Sequence, residues 1–270
     1  MSDWADPLIE FWRDHRNFRF SVHPDDEPVF RQYDKHWATA PDRCAAPPDV
    51  NSDAFLGYTP EKFITSLSPA PYCGDLRKAR ALILLLNPGF HPGDHIAEAS
   101  APFRAALQAT LDQDFSPEAG GYPMFVLDPR FAATPGYAWW AKKFEPLANS
   151  IAQEAKTSKT TAYQRIASRL ATLELVPYHS RTLRIGRMER SLPSVQAVRQ
   201  LVQRLLHSTS PNLPQVIITR SVGHWLTEQQ KNVAHERGWK VYPPKLARSA
   251  SLGPNSPGGS ALLEICRSPN

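Results

Sequence analysis

The chain has 270 residues, 41% hydrophobic and 21% charged, a balance that supports a sizeable folded core and excludes a disordered chain. Its net charge of +5 permits an anionic partner such as nucleic acid without requiring one. Three cysteines, Cys44, Cys73 and Cys266, form no C-x-x-C pair, which excludes a zinc-ribbon or disulfide framework and predicts reduced, buried thiols.

In chain order, the acidic start Met1-Ser2-Asp3-Trp4-Ala5-Asp6 does not read as a signal peptide. Asp6 and Pro7 predict a helix start, with Leu8, Ile9, Phe11 and Trp12 on its apolar side. A second short helix is predicted over Glu27 to His36, followed by a Pro- and Asp-rich loop from Thr39 to Asp53 and a compact apolar turn at Phe55-Leu56-Gly57-Tyr58. The run Ala81-Leu82-Ile83-Leu84-Leu85-Leu86 is continuously apolar and stops at Asn-Pro-Gly. That is the pattern of an interior strand of a parallel sheet covered on both faces.

Helices are then predicted over Phe103 to Leu111, Tyr137 to Ile151 and Tyr163 to Leu173, with Phe125-Val126-Leu127 as a short strand or extended loop. Leu175-Val176-Pro177-Tyr178-His179 reads as a second interior strand. Ser194 is a candidate cap for a helix carrying Val195, Val198, Leu201, Val202 and Leu205. Val216-Ile217-Ile218-Thr219 is a third strand, a helix follows from Gly223 to Arg237, Trp239 to Tyr242 is a fourth strand, and Ala261 to Cys266 is a terminal strand or helix. Strands alternating with helices predict an α/β fold: a three-layer α/β/α sandwich around a mostly parallel sheet of four to five strands. The longest apolar run, Ala79 to Leu86, is interrupted by Arg80 and is too short to span a bilayer, so a soluble, cytoplasmic protein without a membrane contact is expected.

Ligands of open α/β sheets gather at the carboxyl ends of the strands. Four loops leave such ends: Asn87 to His95, His179 to Arg187, Thr219 to His224 and Pro243 to Gly259. In the first, Asn87 is held by the strand before it, Pro88 stiffens the turn and Gly89 leaves room for close approach. Phe90 offers a flat face, and His91, Asp94 and His95 follow. In the second, His179 can contact a substrate while Arg181, Arg184 and Arg187 meet phosphates; a solvated basic loop is the plainer alternative. Arg220, Lys245 and Arg248 are further candidates for a phosphate backbone, and Ser221 for a helix cap. Tyr137, Trp139, Trp140 and Phe144 have helical spacing, which favours core packing over base stacking.

Leu85-Leu86-Asn87-Pro88-Gly89 resembles the first motif of the uracil-DNA glycosylase superfamily, in the Asn-Pro-Gly form of its mismatch-specific branch. In element order the resemblance runs from Phe55 to Ile265, and only this motif matches closely. The family's second motif, His-Pro-Ser or Asn-Pro-Ser followed by Leu, is not intact. Its nearest counterpart is Arg248-Ser249-Ala250-Ser251-Leu252 with Asn255-Ser256-Pro257 behind, which leaves the contact to the departing base unassigned.

The resemblance implies one glycosylase-like domain over residues 1–270 with an N-terminal helical extension to about residue 50, acting as a monomer on DNA. A pyrimidine nucleotide is flipped out of the stack and its N-glycosidic bond hydrolysed through an oxocarbenium-like transition state, leaving an abasic site. Asn87 and His179 are the catalytic candidates, Asn87 by orienting water. Pro88, Gly89, Phe90, His91, Asp94, Ser249 and Ser251 are the substrate-contacting candidates, and Arg181, Arg184, Arg220, Lys245 and Arg248 the DNA-contacting ones. No lysine nucleophile, metal or cofactor is implied. Gly89 stands where uracil-specific members carry a tyrosine that blocks pyrimidine C5, so the resemblance further implies a 5-substituted base, such as a hypermodified phage cytosine, and a role in repair or antiviral defence.

Two other functions fit the same residues. His91, Asp94, His95 and His179 could hold one divalent cation in a nuclease or other hydrolase, and a degenerate glycosylase fold could bind DNA without catalysis. The G-x-S-x-G, G-x-x-x-x-G-K-[ST], G-x-G-x-x-G and H-E-x-x-H signatures are absent.

Overall fold

A computed structural model describes residues 4–13, 22–33, 49, 52–56, 63–115 and 121–267. Cys44, the loop between Thr39 and Asp49, Gly57-Tyr58 and the end of the helix predicted to reach His36 lie outside the described residues.

The sheet has five strands, β1 (Tyr72–Cys73), β2 (Ala81–Leu85), β3 (Leu170–Glu174), β4 (Gln215–Ile218) and β5 (Lys240–Val241), in the order β1-β3-β2-β4-β5. The four longer-range neighbours β3, β2, β4 and β5 run parallel, and β1 closes one edge antiparallel to β3. The helices are α1 (Asp6–Phe11), α2 (Glu27–Tyr33), α3 (Asp53–Leu56), α4 (Gly93–Ala99), α5 (Ala101–Asp112), α6 (Pro135–Glu154), α7 (Lys159–Ala167), α8 (Arg187–Ser191), α9 (Pro193–His207), α10 (Val222–Trp225), α11 (Glu228–Glu236), α12 (Pro244–Ala247) and α13 (Pro257–Arg267).

Side chains along a strand alternate between faces, and two core clusters follow that alternation. Leu82, Leu84, Ala171, Leu173, Val216 and Ile218 pack with Leu8, Ile9 and Trp12 of the α1 segment and with the apolar side of α9. Ala81, Ile83, Leu170 and Ile217 pack with Phe144, Leu147 and Ile151 of α6, with α7 and with α13. β2 sits between β3 and β4, and its first four residues are wholly buried. That explains why its sequence is apolar at every position. α9 buries Val195, Val198, Leu201, Val202, Leu205 and Leu206 on one side, each contributing roughly 1.5–3 kcal/mol relative to exposure.

A buried acid ties the N-terminal segment to this core. The Asp26 carboxylate, 0% exposed, accepts the Ser194 amide at 2.9 Å and the Tyr178 hydroxyl at 2.5 Å. Ser194 lies in the first turn of α9, whose leading amides have no partner within the helix. Ser194 is therefore not the cap expected of it. Pro193 starts the helix, and the cap is supplied from 168 residues away. Asp6, expected as a cap, is the first residue of α1 and pairs instead with Arg77 at 2.9 Å.

Four elements differ from the sequence reading. The helix expected through Leu173 ends at Ala167, and strand β3 occupies Leu170–Glu174, ahead of the segment 175–179 read as strand. Phe125–Leu127 is a 3-10 turn. The helix expected from Gly223 to Arg237 breaks at Leu226 and restarts under a Thr227/Gln230 capping box. The C-terminal segment, expected as strand or helix, takes the helical alternative over Pro257–Arg267. Among the described residues no helix is long and apolar enough to cross a membrane.

Candidate active site

The parallel strands end at one rim of the sheet, and β2 and β3 end side by side, with Leu85 opposite Glu174. The pairing continues past the strands: Leu175 and Val176 donate their amides to the carbonyls of Leu85 and Leu86 at 3.0 Å. This holds the loops after β2 and β3 in fixed register and brings Asn87 beside Ser180.

The Asn87 side-chain nitrogen donates to the Ser180 carbonyl at 3.1 Å and to its hydroxyl at 3.0 Å. With both amide hydrogens engaged, Oδ1 is the atom left to meet a ligand. Gly89 has φ +73°, a left-handed conformation that favours glycine, and a Cβ there would meet nothing within 4 Å. The residue is thus fixed by the backbone, and the space above it is open. The Gly89 carbonyl lies 3.0 Å from His179 Nδ1. A carbonyl only accepts, so Nδ1 carries the hydrogen, and Nε2 of a neutral ring is a free acceptor. Asp94 turns the loop into α4 by accepting the His91 amide at 2.7 Å, while His91 Nδ1 accepts the Gly93 amide at 3.0 Å. Phe90 meets His95 edge-on at 5.8 Å, and burial holds His95 below the ordinary histidine range.

Beneath these loops is a cavity of about 130 Å³, smaller than the pockets that take drug-sized ligands and suited to one small ring. Pro88, Asp94 and His179 are on its wall, whereas Asn87, Gly89, Phe90 and His91 stand in the adjoining loop. Its apolar surface comes from Phe103 of α5, Phe125 and Trp140 of α6, the last stacked on Phe144 at 5.4 Å. Its polar surface includes three carboxyl groups, those of Asp94, Glu98 and Glu174. Glu98 accepts the Ser68 amide with both oxygens, at 2.9 and 3.2 Å.

Glu174 is the residue the sequence reading passed over. It ends β3 on the same face as Leu170 and Thr172, is 7% exposed, and its Oε2 has no hydrogen-bond partner. Burial pushes its carboxyl well above the ordinary range, which favours the uncharged acid. The signal was a single carboxylate inside the apolar run from Leu170 to Val176. Cys73, also on the wall, has its thiol pushed up to about 12 by burial, which removes it as a nucleophile. Ser180, 1% exposed and holding Asn87, was likewise missed.

The remaining expected residues lie elsewhere on the surface. Ser249 and Ser251 are exposed and off the cavity wall. The Ser249 hydroxyl donates to the Leu246 carbonyl at 3.1 Å, and that of Ser251 accepts the Gly253 amide at 3.2 Å. Arg220 donates to the Arg248 carbonyl at 3.2 Å, and Lys143 to the Ser249 carbonyl at 3.1 Å. Together they form a basic rim with the exposed Lys245. Burial, reinforced by Arg220 and then Lys142, lowers the Lys143 pKa. Trp139 is 48% exposed with Lys143 over its ring at 5.6 Å, so this member of the aromatic run is outside the core, next to Trp140 on the cavity wall. Arg181 and Arg184 are exposed in the loop after His179. Among the described residues no three His, Cys, Asp or Glu are placed to hold a metal ion. Compared with protein-family models, curated proteins and solved structures, the chain matches none.

Proposed function

We propose that this protein is a monofunctional DNA glycosylase that hydrolyses the N-glycosidic bond of a flipped, 5-substituted pyrimidine and leaves an abasic site. The observation that carries this reading is the small ring-sized cavity at the ends of β2 and β3, walled by Phe125, Trp140 and His179 beneath the Asn87 loop. A base turned out of a duplex needs such a pocket, with aromatic surface for its faces and polar groups for its edge. In this reading the chain is a single α/β/α three-layer domain, N-terminal segment included, and it acts as a cytoplasmic monomer. The two clusters on opposite faces of the sheet support the layering.

Chemically, the C1′–N1 bond breaks with its electron pair going to the base, and water adds to the oxocarbenium-like C1′. Asn87 Oδ1, fixed through Ser180, orients that water. His179 Nε2 is placed to take its proton, because its other nitrogen is committed to Gly89. The open space over Gly89 leaves room for a substituent at C5. Arg220, Arg248, Lys245 and Lys143 supply the basic rim for the phosphate backbone, with Trp139 beside it.

The test is an abasic-site assay on DNAs carrying uracil, cytosine or 5-substituted cytosine, with and without chelator, for the wild type, Asn87→Ala and His179→Ala. Aldehyde-reactive sites formed by the wild type in chelator, and reduced by roughly two orders of magnitude or more in either variant, support the reading. Retarded DNA with no abasic sites would leave a binding protein instead, and strand breaks only with added metal a nuclease.

A further inference from the structure

We infer that the protein has a second nucleic-acid face, an open basic cleft at the amino ends of β2, β4 and β5 that takes the phosphate backbone of a single strand. It lies at the pole of the sheet opposite the candidate active site and needs none of the glycosylase chemistry.

The parallel strands build the cleft. Arg80 precedes β2, Gln215 begins β4 and Lys240 begins β5. The Gln215 amide donates to the Arg80 carbonyl at 2.9 Å, and Lys240 pairs with Ile217 of β4. The sheet thereby sets Arg80 and Lys240 two strands apart on one rim, with roughly 10–14 Å between their backbones. The cleft there has a volume of about 870 Å³ and is open to solvent. Arg77, Lys78, Arg80, Arg237 and Lys240 are on its wall, against a single carboxylate, that of Glu264.

Helix ends account for part of this charge. Arg237 follows α11 and donates to the Ser208 carbonyl at the end of α9, where a cation complements the helix dipole. Arg77 pairs with Asp6 at 2.9 Å, and Lys78, 74% exposed, with Asp75 at 3.5 Å. Such surface pairs are weak and exchange readily for a phosphate. Arg80 and Lys240 form no ion pair among the described residues. Arg80 is also within electrostatic reach of Arg169, whose guanidinium is held below its ordinary range by burial first and then by Arg80 and Arg165. Like charges gathered on one rim repel each other, and a bound anion relieves them.

Shape then selects the anion. Sites for small molecules are mostly apolar and enclose most of the ligand, whereas this cleft is open and its wall is mainly polar. Cations from separate segments along an open groove suit successive phosphates of a chain. A single strand can lie in the groove, where the half-buried Trp4 gives its bases an aromatic surface.

The experiment titrates the full chain, by fluorescence anisotropy, with a labelled oligodeoxythymidine of about twelve nucleotides and with its duplex, and adds pyrophosphate as a small competitor. It compares the wild type with the double variant Arg80→Gln/Lys240→Gln, whose folding is checked by thermal melting. Expected are saturable binding of the single strand, weaker by roughly tenfold or more in the variant, and a loss of about 1.4 in the slope of log affinity against log salt, at about 0.7 per cation. Acetylation of the wild type, read by mass spectrometry, should show Lys78 and Lys240 protected by the oligonucleotide. Affinity and salt slope unchanged in the folded variant, both lysines unprotected, a duplex bound as tightly as the single strand, or displacement by an equal concentration of pyrophosphate overturns the inference. The glycosylase reading fails separately. Protection of Lys78 and Lys240 without abasic sites in any DNA keeps this face and ends that reading, whereas abasic sites formed with neither lysine protected do the reverse.

Discussion

Asp26→Ala is expected to be among the most damaging single changes in the chain. It removes the acceptor for two buried donors, the Ser194 amide at 2.9 Å and the Tyr178 hydroxyl at 2.5 Å. A buried donor left unpaired costs about 1–3 kcal/mol, so the pair sums to about 2–6 kcal/mol. That is a large part of the 5–15 kcal/mol that holds a typical domain together. Taking about 4 kcal/mol, and 2–4 °C per kcal/mol for a chain of this size, Tm falls by roughly 8–16 °C. Asp26→Asn keeps one acceptor and should lose about half as much. Burial holds the Asp26 carboxyl above its ordinary value, so its proton is bound more tightly in the folded state. The stability this gives is full below the unfolded pKa of 3.8 and is lost as pH rises through the folded one. The Asn variant should therefore compare better with the wild type at neutral pH than at pH 4. Urea unfolding followed by tryptophan fluorescence at both pH values measures this. A drop below about 1 kcal/mol for Asp26→Ala at pH 7 would refute the reasoning, because it would mean that neither donor needs this acceptor.

Glu174→Gln should make stability less sensitive to pH. The raised folded pKa makes the wild type lose stability as pH climbs from the ordinary carboxylate value of 4.5 upward, and the amide cannot titrate. Denaturation midpoints at pH 5 and pH 8 check it, and an unchanged gap between variant and wild type at the two pH values counts against a buried neutral acid. Gly259→Ala should cost about 3 kcal/mol or more, because its Cβ would lie 1.8 Å from the Gly253 carbonyl oxygen and 2.6 Å from that of Leu252, both backbone. Gly223→Ala, with open space around it, serves as the thermal-melt control. At Gly89 the positive φ sets the order: Gly89→Asn should retain about 1 kcal/mol more stability than Gly89→Val, since Asn tolerates the left-handed region. On the DNA reading, Arg220→Gln and Arg248→Gln should each lower the slope of log affinity against log salt by about 0.7–0.9, measured by fluorescence anisotropy.

Strand β2 and the loop after it were legible because two signals agree there. The run Ala81 to Leu86 is apolar at every position, and Asn-Pro-Gly can continue neither strand nor helix. β3 was harder. Tyr163, Ile166, Ala167, Leu170 and Leu173 keep a helical spacing across the real helix end at Ala167, and a five-residue buried strand is too short for its own period to compete. β1, two residues long, has no pattern to read. At the site, local sequence placed Asn87 and Gly89 in one turn. The Asn87–Ser180 and Gly89–His179 bonds span 93 and 90 residues and exist only once β2 and β3 pair. Gly89 was read as room for a ligand. The structure adds a backbone reason for the same residue, so a bulky substitution there strains the turn as well as filling the space. Ser249 and Ser251 were chosen for their likeness to a motif, and nothing in their spacing could show that their hydroxyls cap their own turns.

On the glycosylase reading, the unmatched second motif and the acid at the end of β3 belong to one problem. A departing pyrimidine accumulates negative charge, and something must meet it. The segment that resembles the family's second motif offers serines turned to their own backbone, and the cavity wall has no lysine or arginine. Among the groups left on the cavity wall is the acid Glu174, and an acid helps a forming anion only while it keeps its proton. Burial favours that condition at Glu174 by raising its pKa: the low dielectric that makes ionisation unfavourable also strengthens the hydrogen bond the neutral group can give. A loop carboxyl exposed to water would ionise and repel the same charge. On this reading, placing Glu174 at the end of an interior strand between Thr172 and the first residues of the next loop is what makes it usable, and the sheet contributes chemistry as well as position.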